Sequence, residues 1–260
     1  MAQTSGGRFL LRIEDIDAVR TREDFIASIV DDLAWLGISW EQPVLRQSTR
    51  LAAYQAAARR LQDEGLIYPC FANRSQINAV IANCPNPRDP DGAPMFPATM
   101  RRLAPAETAA RVARGEPHAL RLDMPRAIAA MRTKINGAPL TFTELAPDGT
   151  PQTRFARPER WGDAVIVRKE TPASYHLAVV VDDAFQGVTH ITRGRDLLAA
   201  TDLHRLLQVL LDLPEPVYHH HRLILGADGQ KLSKSASATG LAELRAGGAT
   251  PASVRALIGL

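Results

Sequence analysis

Cysteine is almost absent from this sequence. Cys70 and Cys84 are the only two thiols, too few for a disulfide framework, and nothing else marks a secreted chain. Long apolar runs are missing as well. The longest strong one, Leu177 to Val181, falls far short of the roughly 20 residues a membrane-spanning helix needs. The opening Met-Ala-Gln-Thr-Ser-Gly-Gly has neither the basic n-region nor the apolar h-region of a signal peptide. A cytoplasmic protein without a membrane partner is the expectation. A strong charge excess is also lacking. The net charge of +3 permits a nucleic-acid partner without arguing for one, so any basic surface must be local.

What is present is a globular composition. At 260 residues, 45% hydrophobic and 23% charged, the chain is long enough for one large α/β domain or a domain carrying an insertion. Arg8 to Ile13 reads as a short buried strand. Thr21 to Leu36 reads as an amphipathic helix, with Phe25, Ile26, Ile29, Val30 and Leu33 on one face, Thr21 and Asp24 as a capping box, and Gly37 as its stop. A second helix spans about Thr49 to Glu64. Prolines 85, 87, 90, 94 and 97 then mark a loop or an inserted excursion, and a short helix from Pro105 to Arg114 follows. Ala119 to Asp123, Ala164 to Arg168 and Thr189 to Ile191 read as strands. The continuous apolar run of Tyr175 to Val181 reads as a strand buried on both faces. Asp196 to Leu213 is a leucine-rich helix, Tyr218 to Leu225 a further strand, and Thr250 with Pro251 starts a terminal helix. Strands alternating with helices predict a mainly parallel, doubly wound α/β sheet.

The chemistry-bearing residues are scattered along the chain. Lys231-Leu232-Ser233-Lys234-Ser235 follows a strand and a glycine-bearing turn. Its ammonium groups are mobile point charges suited to phosphate oxygens, and its hydroxyls add donors. A solvated loop is the plainer account of such a cluster taken alone. Glu14, Asp15 and Asp17 lie just past a strand end, where open parallel sheets bind ligands and a carboxylate can hold an ammonium group. The alternative is a charged strand end paired with Arg12 or Arg20. Tyr175 offers a phenol to a ligand or is an anchored core aromatic. Arg193, after a strand, suits bidentate carboxylate recognition or pairs with Asp196 at the surface. His219-His220-His221 does not read as a metal site, because consecutive strand residues point to opposite faces. Arg101, Arg102 and Arg154 read as solvated surface, with nucleic-acid backbone contact as the alternative.

Taken together, Arg8 to Asp17, Asp32 to Ile38, Tyr175 to Asp183, Thr189 to Leu198 and Lys231 to Ser235 resemble a class I aminoacyl-tRNA synthetase of the glutamyl type. The order and spacing of these segments cover nearly the whole chain. Within that group the chain is most similar to the glutamyl-Q tRNA(Asp) synthetases. It stops shortly after the Lys-Ser motif, and Tyr68-Pro69-Cys70-Phe71 is similar to that smaller paralogue. The resemblance implies activation of glutamate by ATP, with Mg²⁺, and transfer of the glutamyl group to the queuosine base of tRNA(Asp). It implies that Glu14 holds the glutamate amino group, and that Tyr175 and Arg193 complete the amino-acid pocket. Lys234, helped by Lys231 and Ser233, would steady the phosphates. These residues are expected to gather at the rim of one sheet in a monomer.

Two departures from the family pattern qualify this expectation. The family's first strand and its His-x-Gly-His segment have no counterpart before Arg8, so adenylate formation by this chain is expected to be impaired. A non-catalytic glutamate- or tRNA-binding remnant and a shortened glutamyl-tRNA synthetase are the alternatives. The family's Cys-x-Cys and Tyr-x-x-x-Cys zinc ligands correspond here to Cys70, Ala72, Phe96 and Met100. Zinc is not expected, and apolar packing should fill the space. The expected organisation is a Rossmann-like catalytic domain in two parts, residues 1–68 and 163–240, with an inserted subdomain at 69–162 and a helical segment at 241–260.

Overall fold

The computed structural model describes residues 2, 5–17, 21–83, 87–101, 103–226 and 240–259. Its elements run β1 (Leu10–Ile13), α1 (Glu23–Trp35), β2 (Glu41–Arg46), α2 (Leu51–Asp63), β3 (Ile67–Cys70), α3 (Arg74–Asn83), α4 (Pro105–Ala113), β4 (Ala119–Leu122) and α5 (Met124–Lys134). They continue with β5 (Thr141–Leu145), β6 (Pro151–Phe155), β7 (Val165–Val167), α6 (Tyr175–Phe185), β8 (His190–Gly194), α7 (Ala200–Leu210), β9 (Val217–His221), α8 (Leu241–Ala246) and α9 (Pro251–Leu257). None of the described helices is long and apolar enough to cross a membrane.

The chain forms two compact units. One comprises Met1–Arg50 and Arg222–Leu260, the other Leu51–His221. In the first unit β1 and β2 pair in parallel. Helix α1 packs on α8, and the Arg255 guanidinium donates to the Leu36 carbonyl just past the end of α1. Thr250 caps α9 by accepting from the Ser253 amide (3.1 Å), with Pro251 in the first turn, as the sequence predicts.

In the second unit the strands form two sheets. One is antiparallel, in the order β3-β4-β7. The other runs β6-β5-β9-β8, with β5, β9 and β8 mutually parallel and β6 antiparallel to β5. The core lies among α5, α6 and α7, with α7 packed on both α5 and α6. Leu203, Leu206, Leu207 and Leu210 of α7, Leu177 and Val180 of α6 and Ala127 of α5 are all buried.

One expected strand is a helix. Tyr175 to Val181 opens α6, which continues to Phe185. The Ser174 hydroxyl accepts from the Leu177 amide and starts the helix, and Gly187 follows its end at a positive φ of 63°. The misreading has a physical cause. A helix buried nearly all round, as Leu177, Ala178, Val179, Val180, Asp182 and Asp183 are here, shows the same unbroken apolar run as a strand buried on both faces. Asp182, just past the run, lies inside the helix, and the buried Tyr54 hydroxyl lies 2.6 Å from its Oδ2. Strand β8 also runs on to Gly194, so Arg193 is a strand residue and the leucine-rich helix begins later, at Ala200.

Candidate amino-acid site

Helix α7 is buried on almost every side, and that includes polar residues Thr201, Asp202, His204, Arg205 and Gln208. Buried polar groups must find partners, and here each does. Asp202 takes Arg160 at 2.7 Å. Arg205 donates to the Thr141 carbonyl (2.9 Å) and to Gln208 Oε1 (2.7 Å), and Gln208 Nε2 donates to the Tyr218 hydroxyl (3.0 Å). Thr201 and His204 face Arg193.

Arg193 is the hub of this arrangement. The parallel register of β8 and β9 sets Arg193 opposite His220, which brings guanidinium and imidazole together. Arg193 Nε donates to His220 Nε2 (3.2 Å), Nη1 to His204 Nδ1 (3.1 Å) and Nη2 to Thr201 Oγ1 (2.6 Å). The guanidinium also lies over the Tyr218 ring, 5.2 Å from its centre.

A guanidinium only donates, so it assigns the tautomers around it. His204 Nδ1 accepts and its proton sits on Nε2, which donates to His176 Nδ1 at 3.1 Å. His220 Nε2 accepts, so its proton sits on Nδ1, 3.0 Å from Glu144 Oε1. The titration behaviour agrees. Burial, then the nearby Arg193 charge, pushes His176 down to about 4 and His204 well below its ordinary value. His220 is lowered for the same two reasons, with Glu144 opposing. All three rings are neutral at neutral pH.

Tyr175 joins this group from the first turn of α6. Its ring centre lies 5.6 Å from His204 and 5.5 Å from His176. Arg193 and Tyr175 thus both approach the same imidazole, that of His204. Arg193 does not pair with Asp196. It has five N–H groups and places three on its described partners, leaving one on each terminal nitrogen.

Glu14 belongs to the first compact unit, exposed past the end of β1, with Arg12 Nη2 at 3.9 Å from its carboxylate. Its neighbour Asp15 is buried and structural: it accepts from the Ser48 amide (2.8 Å), the Ser48 hydroxyl (2.7 Å) and Arg46 Nε (2.8 Å). These bonds hold its carboxyl below the usual range against the opposing effect of burial. Lys231, Ser233 and Lys234 lie outside the described residues, as do Cys84 and Arg102.

The four positions that correspond to zinc ligands do come together. Cys70 and Phe96 share a buried cluster with Tyr68, and Ala72, Ile77 and Met100 pack against it. The set holds a single thiol among apolar side chains, and this does not fit a tetrahedral zinc site. Arg101 is not a solvated surface residue. It grips the buried Asp163 through Nε (2.6 Å) and Nη2 (2.9 Å), and Tyr68 donates to the same carboxylate at 2.7 Å. Arg154 lies 2.7 Å from Glu144 Oε2. It also lines, with Phe155, Arg157, Arg160 and Asp202, a separate cavity of about 400 Å³ that includes neither Tyr175 nor Arg193.

Sequence reasoning missed His204, Thr201, His176, His220 and Glu144 as parts of the site. A signal existed. Thr201, His204 and Gln208 recur at helical spacing on an otherwise leucine-rich helix, and Tyr218 and His220 share one face of a strand. A polar stripe inside an apolar helix needs buried partners.

Comparison with known proteins follows from this arrangement. The chain is 44% identical to the glutamyl-Q tRNA(Asp) synthetase of Rhodobacter capsulatus, covering 100% of this chain and 91% of that protein. It is 41% identical to the protein of the same name from Symbiobacterium thermophilum, over 97% of this chain and 76% of the other. It is 35% identical to glutamate–tRNA ligase 2 of Nitrosococcus oceani, of which it spans 51%. The crystal structure of the glutamate–tRNA synthetase from Elizabethkingia anophelis superposes with a TM-score of 0.68 at 22% identity, over 88% of this chain and 46% of that one. This likeness shows the fold, a Rossmann-like α/β catalytic domain. Residues 1–258 match the family of class I tRNA synthetases (E and Q), catalytic domain, and the chain belongs to that family of ligases.

Proposed function

We propose that this chain activates glutamate with ATP and transfers the glutamyl group to the queuosine base of tRNA(Asp). The observation that carries the reading is the meeting of Arg193 and Tyr175 at His204, together with similarity along nearly the whole of this chain to relatives bearing that activity in their names. An anchored guanidinium with one N–H left on each terminal nitrogen suits a carboxylate, and it remains charged at any physiological pH. The Tyr175 phenol offers a second polar contact for the amino acid. Glu14, by its place in the family motif, is assigned to the amino group. Lys231, Ser233 and Lys234 are assigned to the ATP phosphates, with Mg²⁺ entering as part of the substrate complex.

The chemistry has two steps. A carboxylate oxygen of glutamate attacks the α-phosphorus of ATP, forming the mixed anhydride and releasing pyrophosphate. A hydroxyl of the modified base then attacks the activated carbonyl carbon, and AMP leaves. Cationic side chains fixed before the reaction stabilise charge as it develops on the departing phosphates, at no reorganisation cost. The inserted-subdomain reading of residues 69–162 belongs to the same proposal.

The test is transfer of labelled glutamate, with ATP and Mg²⁺, to tRNA(Asp) with and without queuosine. Label on the modified base, absent from unmodified tRNA, is the expected result. Label at the 3′ end, or on neither, contradicts the proposal.

A further inference from the structure

Arg193 projects from a strand whose cross-strand neighbour is a histidine, and a guanidinium on a flexible stem gains recognition geometry only when something holds it. Three side chains do so. His220 accepts from the Nε–H, His204 from an Nη1–H and Thr201 from an Nη2–H. We propose that His204 and His220 are positioning residues for Arg193: each presents an unprotonated ring nitrogen to one guanidinium N–H, so that a carboxylate ligand meets a plane already fixed. The inference rests on the reading of Arg193 as the carboxylate-binding residue.

The two rings are themselves held from behind. His204 donates its remaining N–H to His176, whose ring packs edge-on with Trp161 at 5.2 Å. His220 donates its N–H to Glu144, and Thr201 lies 3.2 Å from the His220 nitrogen that accepts from Arg193. Each link requires the next to be a particular tautomer. Protonating either imidazole on the nitrogen facing Arg193 would set N–H against N–H and one cation against another.

The titratable and charged groups around these rings come from every packed element. They are Arg193 on β8, Glu144 on β5 with Arg154 beside it, and Tyr175 and His176 on α6 with Arg168 beyond. Tyr218 and His219 flank His220 on β9. Glu144 favours protonation of His220, Arg193 opposes protonation of all three rings, and Arg168 adds to this at His176.

The experiment is calorimetric titration of L-glutamate into the intact chain and into Arg193→Ala, His204→Leu, His204→Gln and His220→Gln, from pH 7.5 to 5. A second readout is the ¹⁵N spectrum of the imidazoles in unliganded protein. A lost hydrogen bond to a charged group corresponds to about tenfold or more in affinity. His204→Leu should therefore weaken glutamate about tenfold. His204→Gln, whose amide oxygen still accepts, should recover most of this. The spectra should show His204 protonated on Nε2 and His220 on Nδ1. Normal binding by folded His204→Leu, with Arg193→Ala still impaired, overturns the inference and leaves the reading of Arg193 intact. Normal binding by Arg193→Ala overturns both. The opposite tautomer on His204 overturns the inference whatever the variants do.

Discussion

Two buried regions of the second compact unit do opposite things with the same problem. Around Arg193, α7 and the β5-β9-β8 strands bury a string of polar groups, each matched donor to acceptor. Around Cys70, the positions that correspond to a metal site are filled by Phe96, Met100 and Ala72 and held by contact alone. The first arrangement is specific: one wrong proton leaves two donors facing each other, and unmatched buried groups are costly. The second is sensitive chiefly to volume. The proposed function follows that division: a ligand carboxylate would need fixed donors, which Arg193 offers in the first region.

The comparison can be broken most forcefully at the apolar end. Phe96→Ala should cost about 3–5 kcal/mol of stability by transfer and cavity effects, and it also removes the ring over which Arg121 lies at 4.1 Å. Denaturant unfolding measures this, and a loss below 1 kcal/mol would mean the cluster is loosely packed. His204→Leu should cost less, about 1–3 kcal/mol, since it unpairs Arg193 and His176 in a site that keeps other partners. A larger loss there than at Phe96 would reverse the assignment of which region is structural.

Acid sharpens the contrast. His176, His204 and His220 all have folded pKa values below the unfolded value, which is near 6.5. Such groups cost nothing well above that pH. As pH falls through it, the unfolded chain takes up protons first and stability drops, by at most about 1.4 kcal/mol per pH unit for each histidine. Thermal unfolding followed from pH 7 to 5 should therefore show a falling midpoint, and His204→Leu should fall less steeply. The Phe96→Ala penalty should stay constant over the same range, because the Cys70 cluster has no such histidine. The smallest effect concerns metal: a chelator should leave the unfolding midpoint unchanged, and stoichiometric zinc in purified protein would contradict the apolar reading of Cys70, Ala72, Phe96 and Met100.

How much of this could be read in the sequence depends on how local each signal was. Helix α1, the Pro105 helix and the Thr250-Pro251 start announce themselves through local spacing and end residues. The α1 start did not follow the expected capping box: Arg22 stands at the cap and makes no side-chain cap bond. The apolar run at Tyr175 carried no period to tell strand from helix, and burial on all sides is what erased it. Tyr175 and Arg193 enter the candidate site through the family motif, which names them. Their common neighbour His204 does not, since its role depends on a strand-to-helix packing that joins residues from α6, β8 and α7. Asp15 illustrates the limit in another way. It stands beside Glu14 in one motif, yet it is buried and bonded to Ser48 while Glu14 is exposed.

The central claim is that Arg193 works as an oriented fork rather than as a positive charge. Arg193→Lys separates the two, because lysine keeps the charge and loses the three anchors and the paired donors. Titrated with L-glutamate at pH 7.5, that variant should bind at least about tenfold more weakly than the unaltered chain; binding of equal strength would contradict the account.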